Sequence, residues 1–449
     1  MDTQVGMLGA ARVPTAAREA RWQRRYTIIG MCASGMFLCY VDRVNISVAA
    51  IAMQHDLGWT ETTKGLVLSA FFMGYILLQV PTGWLANRFG GKIVMSVAVL
   101  LWSLFTLLTP IAATMSLPVL IAARIALGAG EAATYPAVYN IYGKWVLPQE
   151  RGRAVALLSG AIPAGTLFAL IVTGWMLHFT RWPSIFYLFG IAGFAWFALW
   201  AWLVNDDPLK DPRVGPEEAA RLAALGNRRA PGEAIPWREL LSSSAVWALI
   251  INHFCSNWGF YMLLAWLPSY FSGALGLSST NAGIYSAAPW LMMFLVGMAS
   301  GWAIDRLYAR GVSLLLLRKV FQICGLVGSG AFLILAGQAT NAGMAVALMC
   351  GAMGFHALTL VGFVPNYLDI APRHADVLVG VTNVLGTLPG VVGIAITGWL
   401  VERTHSYASP FILAAMIHLT GAVIWLIFAK ASPILASDQE KPSDLASSG

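Results

Sequence analysis

Four ionisable side chains stand in stretches otherwise built of apolar residues. Asp42 and Arg43 lie in Tyr40-Val41-Asp42-Arg43-Val44-Asn45, and Arg124 and Glu131 close the ends of Arg124-Ile125-Ala126-Leu127-Gly128-Ala129-Gly130-Glu131. A charge held in hydrocarbon costs about 2.5–3.5 kcal/mol on insertion scales, so each must face a partner or a water-filled cavity. Two acids balance two bases. Arginine stays charged and grips an oxyanion with parallel donors. A carboxyl in a low-dielectric cavity can hold a proton near neutral pH and give it up when a cation approaches. One base binding an anion while the acids exchange protons would couple the two events; the alternative is a pair of buried salt bridges that only lock helices together. Arg124 and Glu131 are seven residues apart. On a helix they share one face, about 10 Å apart along its axis, whereas Asp42 and Arg43 point about 100° apart and do not easily serve one partner.

The elements that must position these groups are membrane helices. Of the 449 residues, 58% are hydrophobic and 11% charged, against about 25% charged in soluble domains. The mean hydropathy is +0.69. A window of about 20 apolar residues finds twelve candidate spans, at 27–49, 64–86, 93–113, 117–143, 154–177, 184–204, 244–271, 281–303, 315–336, 343–367, 377–401 and 408–430. The fold class is all-α and polytopic. The first apolar run is long enough to span, so it reads as helix 1 and not as a cleaved leader. With a cytoplasmic N-terminus, 23 of the 28 Lys and Arg fall in the tails and even-numbered connections, and only Lys64, Arg181 and Arg403 on the other side. That bias sets orientation, with both termini cytoplasmic, and removes the need for a nucleic-acid partner. The five cysteines, Cys32, Cys39, Cys255, Cys324 and Cys350, form no C-x-x-C pair, so neither a disulfide framework nor a zinc site is expected. Neither H-E-x-x-H nor G-x-S-x-G is present, which argues against a membrane enzyme. No cofactor is expected.

The chain divides into a tail (1–25), a six-helix bundle (26–205), a charged, proline-containing cytoplasmic linker (206–243), a second bundle (244–431) and a C-terminal tail (432–449). The bundles repeat one another. Ser69-Ala70 and Gly83-Trp84 on helix 2 return as Ser286-Ala287 and Gly301-Trp302 on helix 8, offset by 217 to 218, and Thr173-Gly174-Trp175 on helix 5 returns as Thr397-Gly398-Trp399 on helix 11, offset by 224. Paired repeats of this kind place a substrate site at their interface near the bilayer midplane and rock about it. Polar side chains available to line it are Tyr40, Tyr75, His253, Asn257, Tyr261, Asn366 and Asn383, while His356 and His418 read as structural.

Several motifs carry a family resemblance. Tyr40-Val41-Asp42-Arg43-Val44-Asn45-Ile46-Ser47-Val48-Ala49, then Arg124, Gly128, Glu131 and Tyr135-Pro136, then Lys144-Trp145 and Glu150-Arg151, resemble the anion:cation symporters of the major facilitator superfamily. In the second half Asn257-Trp258-Gly259-Phe260-Tyr261, Leu267-Pro268 and Leu368-Asp369-Ile370-Ala371-Pro372-Arg373 are similar to its animal and plant members. The resemblance covers residues 26 to about 430 and includes bacterial galactonate, hexuronate and phthalate carriers, sialin, vesicular glutamate transporters and plastid phosphate transporters. It implies that Arg43 engages the anion, that Asp42 and Glu131 handle protons, that Arg124 tunes the glutamate, and that Tyr75 and Asn383 line the pocket. Gly83, Arg88 and Gly90 resemble a gating loop, with Asn87 where the superfamily usually has aspartate; Asp305 and Arg306 keep that pattern in the second half. Ser256 and Leu68 stand where the glutamate transporters carry an arginine and a histidine. Without that second cation, the expected substrate is a monocarboxylate with hydroxyls, such as a sugar acid, carried with protons; phosphate or sialic acid, with protons or sodium, is the alternative. The expected partners are a small anion and membrane lipid, the expected state a monomer, and the expected location a bacterial inner membrane.

Overall fold

The computed structural model describes residues 22–223, 236–372 and 374–435, and the regular structure in them is helical. The tail 1–21, linker residues 224–235, Arg373 and the C-terminal residues 436–449 lie outside the described residues. Twelve long helices form the body: α1 (Arg24–Leu57), α2 (Glu61–Phe89), α3 (Gly91–Met115), α4 (Leu117–Glu131, resumed as Thr134–Trp145), α5 (Arg151–Phe179), α6 (Pro183–Leu203), α7 (Ser244–Gly273), α8 (Ser279–Ala309), α9 (Leu314–Ala336), α10 (Ala342–Ala357, followed by the short turns Thr359–Gly362 and Asn366–Ile370), α11 (Ala375–Thr404) and α12 (Ala408–Phe428). Among the described residues, eleven stretches are long and apolar enough to cross a membrane. The remaining helix, α7, has 30 residues and is more polar, carrying Asn252, His253, Ser256 and Asn257.

Glycine lets α2 and α4 close on each other. A methyl group at Gly74 would run into the backbone of Ile125, and one at Gly128 into the carbonyl of Phe71. Small residues at helix crossings have this use in lipid, where dispersion packing replaces the hydrophobic effect. The approach carries Phe71 and Tyr75 of α2 beside the charged residues of α1 and α4.

The linker begins as part of the first half. The Glu218 carboxylate, on the short helix Pro216–Ala223, accepts the backbone N–H groups of Arg24 and Arg25 at 2.9 and 3.0 Å. These are first-turn donors of α1, which lack partners inside their own helix and favour an anion. Arg25 also holds Glu150 at 2.7 Å, and Arg24 holds Asp211 at 3.2 Å. The buried Asp211 carboxyl loses solvation, but Arg213 and Arg24 outweigh that loss and hold it below the ordinary carboxylate range.

The two halves meet chiefly at the end opposite the basic connections. There Gly65 of α2 packs on Gly398 of α11, and Gly174 of α5 on Gly283 of α8. Toward the basic end the same helices diverge: a methyl group at Gly83, Gly152, Gly160, Gly301 or Gly380 would meet nothing within 4 Å. The charge bias makes this an inward-facing arrangement.

Candidate functional site: a two-arginine cavity between the halves

The site begins at a break in α4. Regular helix stops at Glu131 and resumes at Thr134. Pro136 has no N–H to give to the carbonyl of Ala132, four residues back. The hydroxyl of Thr82, on α2, lies 3.3 Å from that orphaned carbonyl. The break turns Glu131 inward, where its side chain is fully buried.

Its partner is Arg43. Arg43 Nε and Nη2 donate to Glu131 Oε2 at 3.1 and 2.9 Å. The Cys39 thiol, one turn back on α1, donates to the same oxygen at 3.1 Å. Three donors thus converge on Oε2, while the buried Oε1 has no hydrogen-bond partner. Aromatic faces surround the guanidinium, with ring centres at 4.6 Å (Tyr40), 4.9 Å (Phe71) and 4.9 Å (Tyr75) from Arg43 Cζ. Such contacts stabilise a desolvated arginine by about 1–2 kcal/mol each and leave its in-plane N–H groups free for an oxyanion.

Arg124, expected to tune Glu131, lies within electrostatic range of it without a direct hydrogen bond. Its Cζ lies 5.6 Å from the Phe71 ring, and its Nε and Nη1 are buried without a hydrogen-bond partner. The reason is rotational. Seven residues amount to about 20° less than two full turns, and with the break at its C-terminal end α4 sends Glu131 to α1 and Arg124 past Phe71. Arg124 and Arg43 line one cavity, together with Ile46, Ser47, Leu68, Phe71, Phe72, Leu264 and Ala265. Its volume is about 20 Å³, room for about one water molecule. Arg124 of α4 thus supplies a second guanidinium to this cavity, at a place other than the Ser256 position. Ser256 turns into its own half, its hydroxyl 3.3 Å from Thr359.

Asp42 faces the other way, as its 100° offset requires. Its carboxylate is 1% exposed, points toward Trp102 and Thr106 of α3, and lies within electrostatic range of Arg124 and Glu131. The Trp102 Nε1–H and the Thr106 hydroxyl that it faces have no other hydrogen-bond partner.

The second half reaches the site through aromatic contact. Tyr261 of α7 packs on Phe72 with ring centres 4.7 Å apart. Asn257 is committed within its half, its amide donating to the Gly386 carbonyl of α11 at 2.7 Å. Asn383 sits half-buried on α11, its backbone carbonyl accepting from the Thr387 hydroxyl at 2.8 Å. His253 meets Tyr367 at 3.1 Å, and Asn366 donates to the Lys430 carbonyl at 2.8 Å. His356 and His418 stack with ring centres 6.1 Å apart.

In the loop between α2 and α3, Gly90 adopts φ 86° and its Cα faces the Asp206 carboxylate. Asp206, at the end of α6, accepts the Lys92 N–H at 3.0 Å and pairs with Lys144. Asn87, at the position where an aspartate was expected, lies 3.4 Å from the Asn140 amide, which in turn accepts the Gly91 N–H at 3.0 Å. Arg88 and Arg306 lie over Trp84 and Trp302, and Asp305 is exposed. Sequence reasoning missed Asp206 here, and Cys39 and Phe71 at the centre. Cys39 was within reach, because four residues before Arg43 is the same helix face.

Comparison with known proteins agrees with this architecture. The sequence profile described as Major Facilitator Superfamily matches residues 32–394. A chloroplastic sodium-dependent phosphate transport protein of Arabidopsis thaliana is 39% identical over 412 residues, 92% of this chain and 80% of the relative. The chloroplastic ascorbate transporter of that plant is 38% identical over 417 residues, covering 92% and 77%. Human sialin is 33% identical over 441 residues, covering 90% and 89%. Among solved structures, an inward-facing bacterial homologue of the human lysosomal transporter Spinster superposes with a TM-score of 0.75 at 17% identity, over 93% of this chain and 99% of that one. A D-xylose–proton symporter does so at 0.74 and 16%, over 90% and 98%. The expected bacterial inner membrane finds no support in these relatives, two of which are named as chloroplastic. A multi-pass helical body, the motifs of α1 and α4, and relatives matched over nine-tenths of the chain place this protein in the major facilitator superfamily, within its anion:cation symporter family.

Proposed function

We propose that this protein is a secondary active transporter that moves a small anion by alternating access, holding it between Arg43 and Arg124. The observation that carries the proposal is the pairing at the centre. A buried arginine ringed by aromatic faces has one carboxylate for its counter-ion, and that carboxylate has a second oxygen with no partner. An entering oxyanion displaces Glu131 from Arg43, and a proton on Oε1 neutralises the released carboxyl. Arg124 offers the anion a second set of donors. Two arginines suit a small, densely charged oxyanion better than the sugar acid favoured on sequence alone, and a relative named for phosphate transport supports that shift, while one named for ascorbate, a hydroxylated monoanion, fits either substrate class. Sugar-acid symport with protons keeps one observation in its favour, the buried Asp42 carboxylate, which makes no ion pair.

Uptake into proteoliposomes tests this. Labelled phosphate, ascorbate, sialic acid and galactonate are offered under an imposed proton gradient and, separately, a sodium gradient. Concentrative uptake of phosphate or ascorbate is the expected result. Uptake of galactonate alone would restore the sugar-acid reading, and no uptake of any anion would refute anion transport.

A further inference from the structure

Helix α7 carries a stripe of polar side chains on the face it turns to the first half. His253, Asn257 and Tyr261 are four residues apart, so they share one face at intervals of about 6 Å. Tyr261, nearest the arginines, packs on Phe72 of the first half, and Gly390 of α11 meets the same ring. The halves diverge toward the basic end, so Asn257 and His253, both half-buried, front the space between them.

Hydrogen-bond directions on this face are fixed by backbone carbonyls, which can only accept. Asn257 gives its amide N–H to the Gly386 carbonyl at 2.7 Å. That sets the orientation of the amide and leaves Oδ1 as an acceptor with no partner among the described residues. A longer chain fixes His253. The Thr382 hydroxyl donates to the Val379 carbonyl at 3.3 Å. Its oxygen then accepts the Tyr367 hydroxyl at 2.8 Å, and Tyr367, its hydrogen spent, accepts from His253 Nδ1 at 3.1 Å. A neutral ring with its hydrogen on Nδ1 carries the lone pair on Nε2. Among the described residues Nε2 has no hydrogen-bond partner. No described carboxylate meets the ring either, since Asp369, on the same short turn as Tyr367, is held by Arg318 at 2.8 Å. Gly386 makes the arrangement possible: a methyl group there would lie 2.7 Å from three atoms of the imidazole, which therefore rests flat against α11.

The two halves thus offer opposite chemistry. The first presents the N–H groups of two arginines, the second two lone pairs. An oxyanion without hydrogens to donate is drawn to the arginines and repelled by the lone pairs, whereas an anion that also carries O–H groups satisfies both. We propose that Asn257 Oδ1 and His253 Nε2 form an acceptor face that selects, among small anions, those bearing hydroxyl donors. This selection rests on the anion transport proposed above and narrows its substrates to hydroxylated anions such as hydrogenphosphate or ascorbate.

Two measurements test the acceptor face. The first needs no anion. In the nitrogen-15 spectrum of protein labelled at its histidines, the signal lost in His253→Phe is expected to show hydrogen on Nδ1 and a bare Nε2. Hydrogen on Nε2 would overturn the acceptor role and leave the transport proposal untouched. The second is equilibrium binding of two matched pairs, hydrogenphosphate with sulfate, at a pH where phosphate is the dianion, and ascorbate with 6-deoxyascorbate. The members of each pair share charge and shape and differ in one hydroxyl. Native protein is expected to favour the more hydroxylated member of at least one pair by on the order of tenfold. His253→Phe, which keeps a ring against Gly386, and Asn257→Leu are each expected to shrink that preference several-fold while the other member binds as well as before. No preference in the native protein, an unchanged preference in both variants, or an equal loss for both members of a pair would overturn the proposal. Failure of the transport reading would look different: no anion would bind the native protein, and the nitrogen-15 result would stand on its own.

Discussion

At the scale of single residues, the account rests on Arg43, Glu131 and Arg124 having different tasks. Glu131→Gln keeps an oxygen for Arg43 to hold but cannot titrate. Counterflow exchange of the substrate is expected to persist in that variant, while uptake against a gradient is lost. Full gradient-driven uptake would show that Glu131 is not the coupling site. Arg124→Gln leaves the Arg43–Glu131 pair intact and removes a second charged donor. Charge-assisted hydrogen bonds contribute about 1.5–3 kcal/mol each, so the expected loss of anion affinity is on the order of tenfold to a hundredfold. Saturation binding checks it, and an unchanged affinity would return Arg124 to a purely structural role. The residue types were legible in sequence because charge inside a span stands out against apolar neighbours. Their pairing was not. Spacing along one helix gives a face, but which neighbouring helix that face meets depends on the break at 132–133.

At the scale of elements, α4 is the part whose local sequence does the most to set the site. Pro136 interrupts it, and the Thr82 hydroxyl, which donates at 2.7 Å to the Leu78 carbonyl of its own helix, approaches the carbonyl that the proline strands at 3.3 Å. Thr82→Val keeps the shape and removes the hydroxyl from both carbonyls. A lost hydrogen bond costs about 0.5–1.5 kcal/mol. The purified variant is therefore expected to unfold at a lower temperature and to transport more slowly, with the anion still bound. A melting temperature equal to that of the native protein would mean the carbonyl finds another partner. The proline could be read from the sequence as a helix interruption. The approach of Thr82 could not, because Thr82 lies 50 residues away and meets Ala132 only once Gly74 and Gly128 bring α2 against α4.

At the scale of the whole molecule, the twelve spans and the repeat were legible, because apolar length, loop charge and self-similarity are properties of the chain itself. The state of the carrier was not. Whether α2 meets α11 at one end or the other is a difference between two packings of the same helices, and the sequence serves both. The repeat nevertheless marked the contact, since Gly174-Trp175 and Gly398-Trp399 lie at the helix ends where the halves touch. Which membrane holds the protein was not legible for a related reason: loop charge reports the orientation of the helices, not the membrane they cross.

The claim beneath all of this is that the anion binds at Arg43 in place of Glu131. Its most direct measurement is equilibrium binding of the anion selected by the uptake panel, comparing purified native protein with Arg43→Ala. Loss of two charge-assisted bonds predicts affinity weakened by about a hundredfold or more, with the melting temperature confirming a folded variant. Native affinity in Arg43→Ala would contradict the account and place the anion elsewhere.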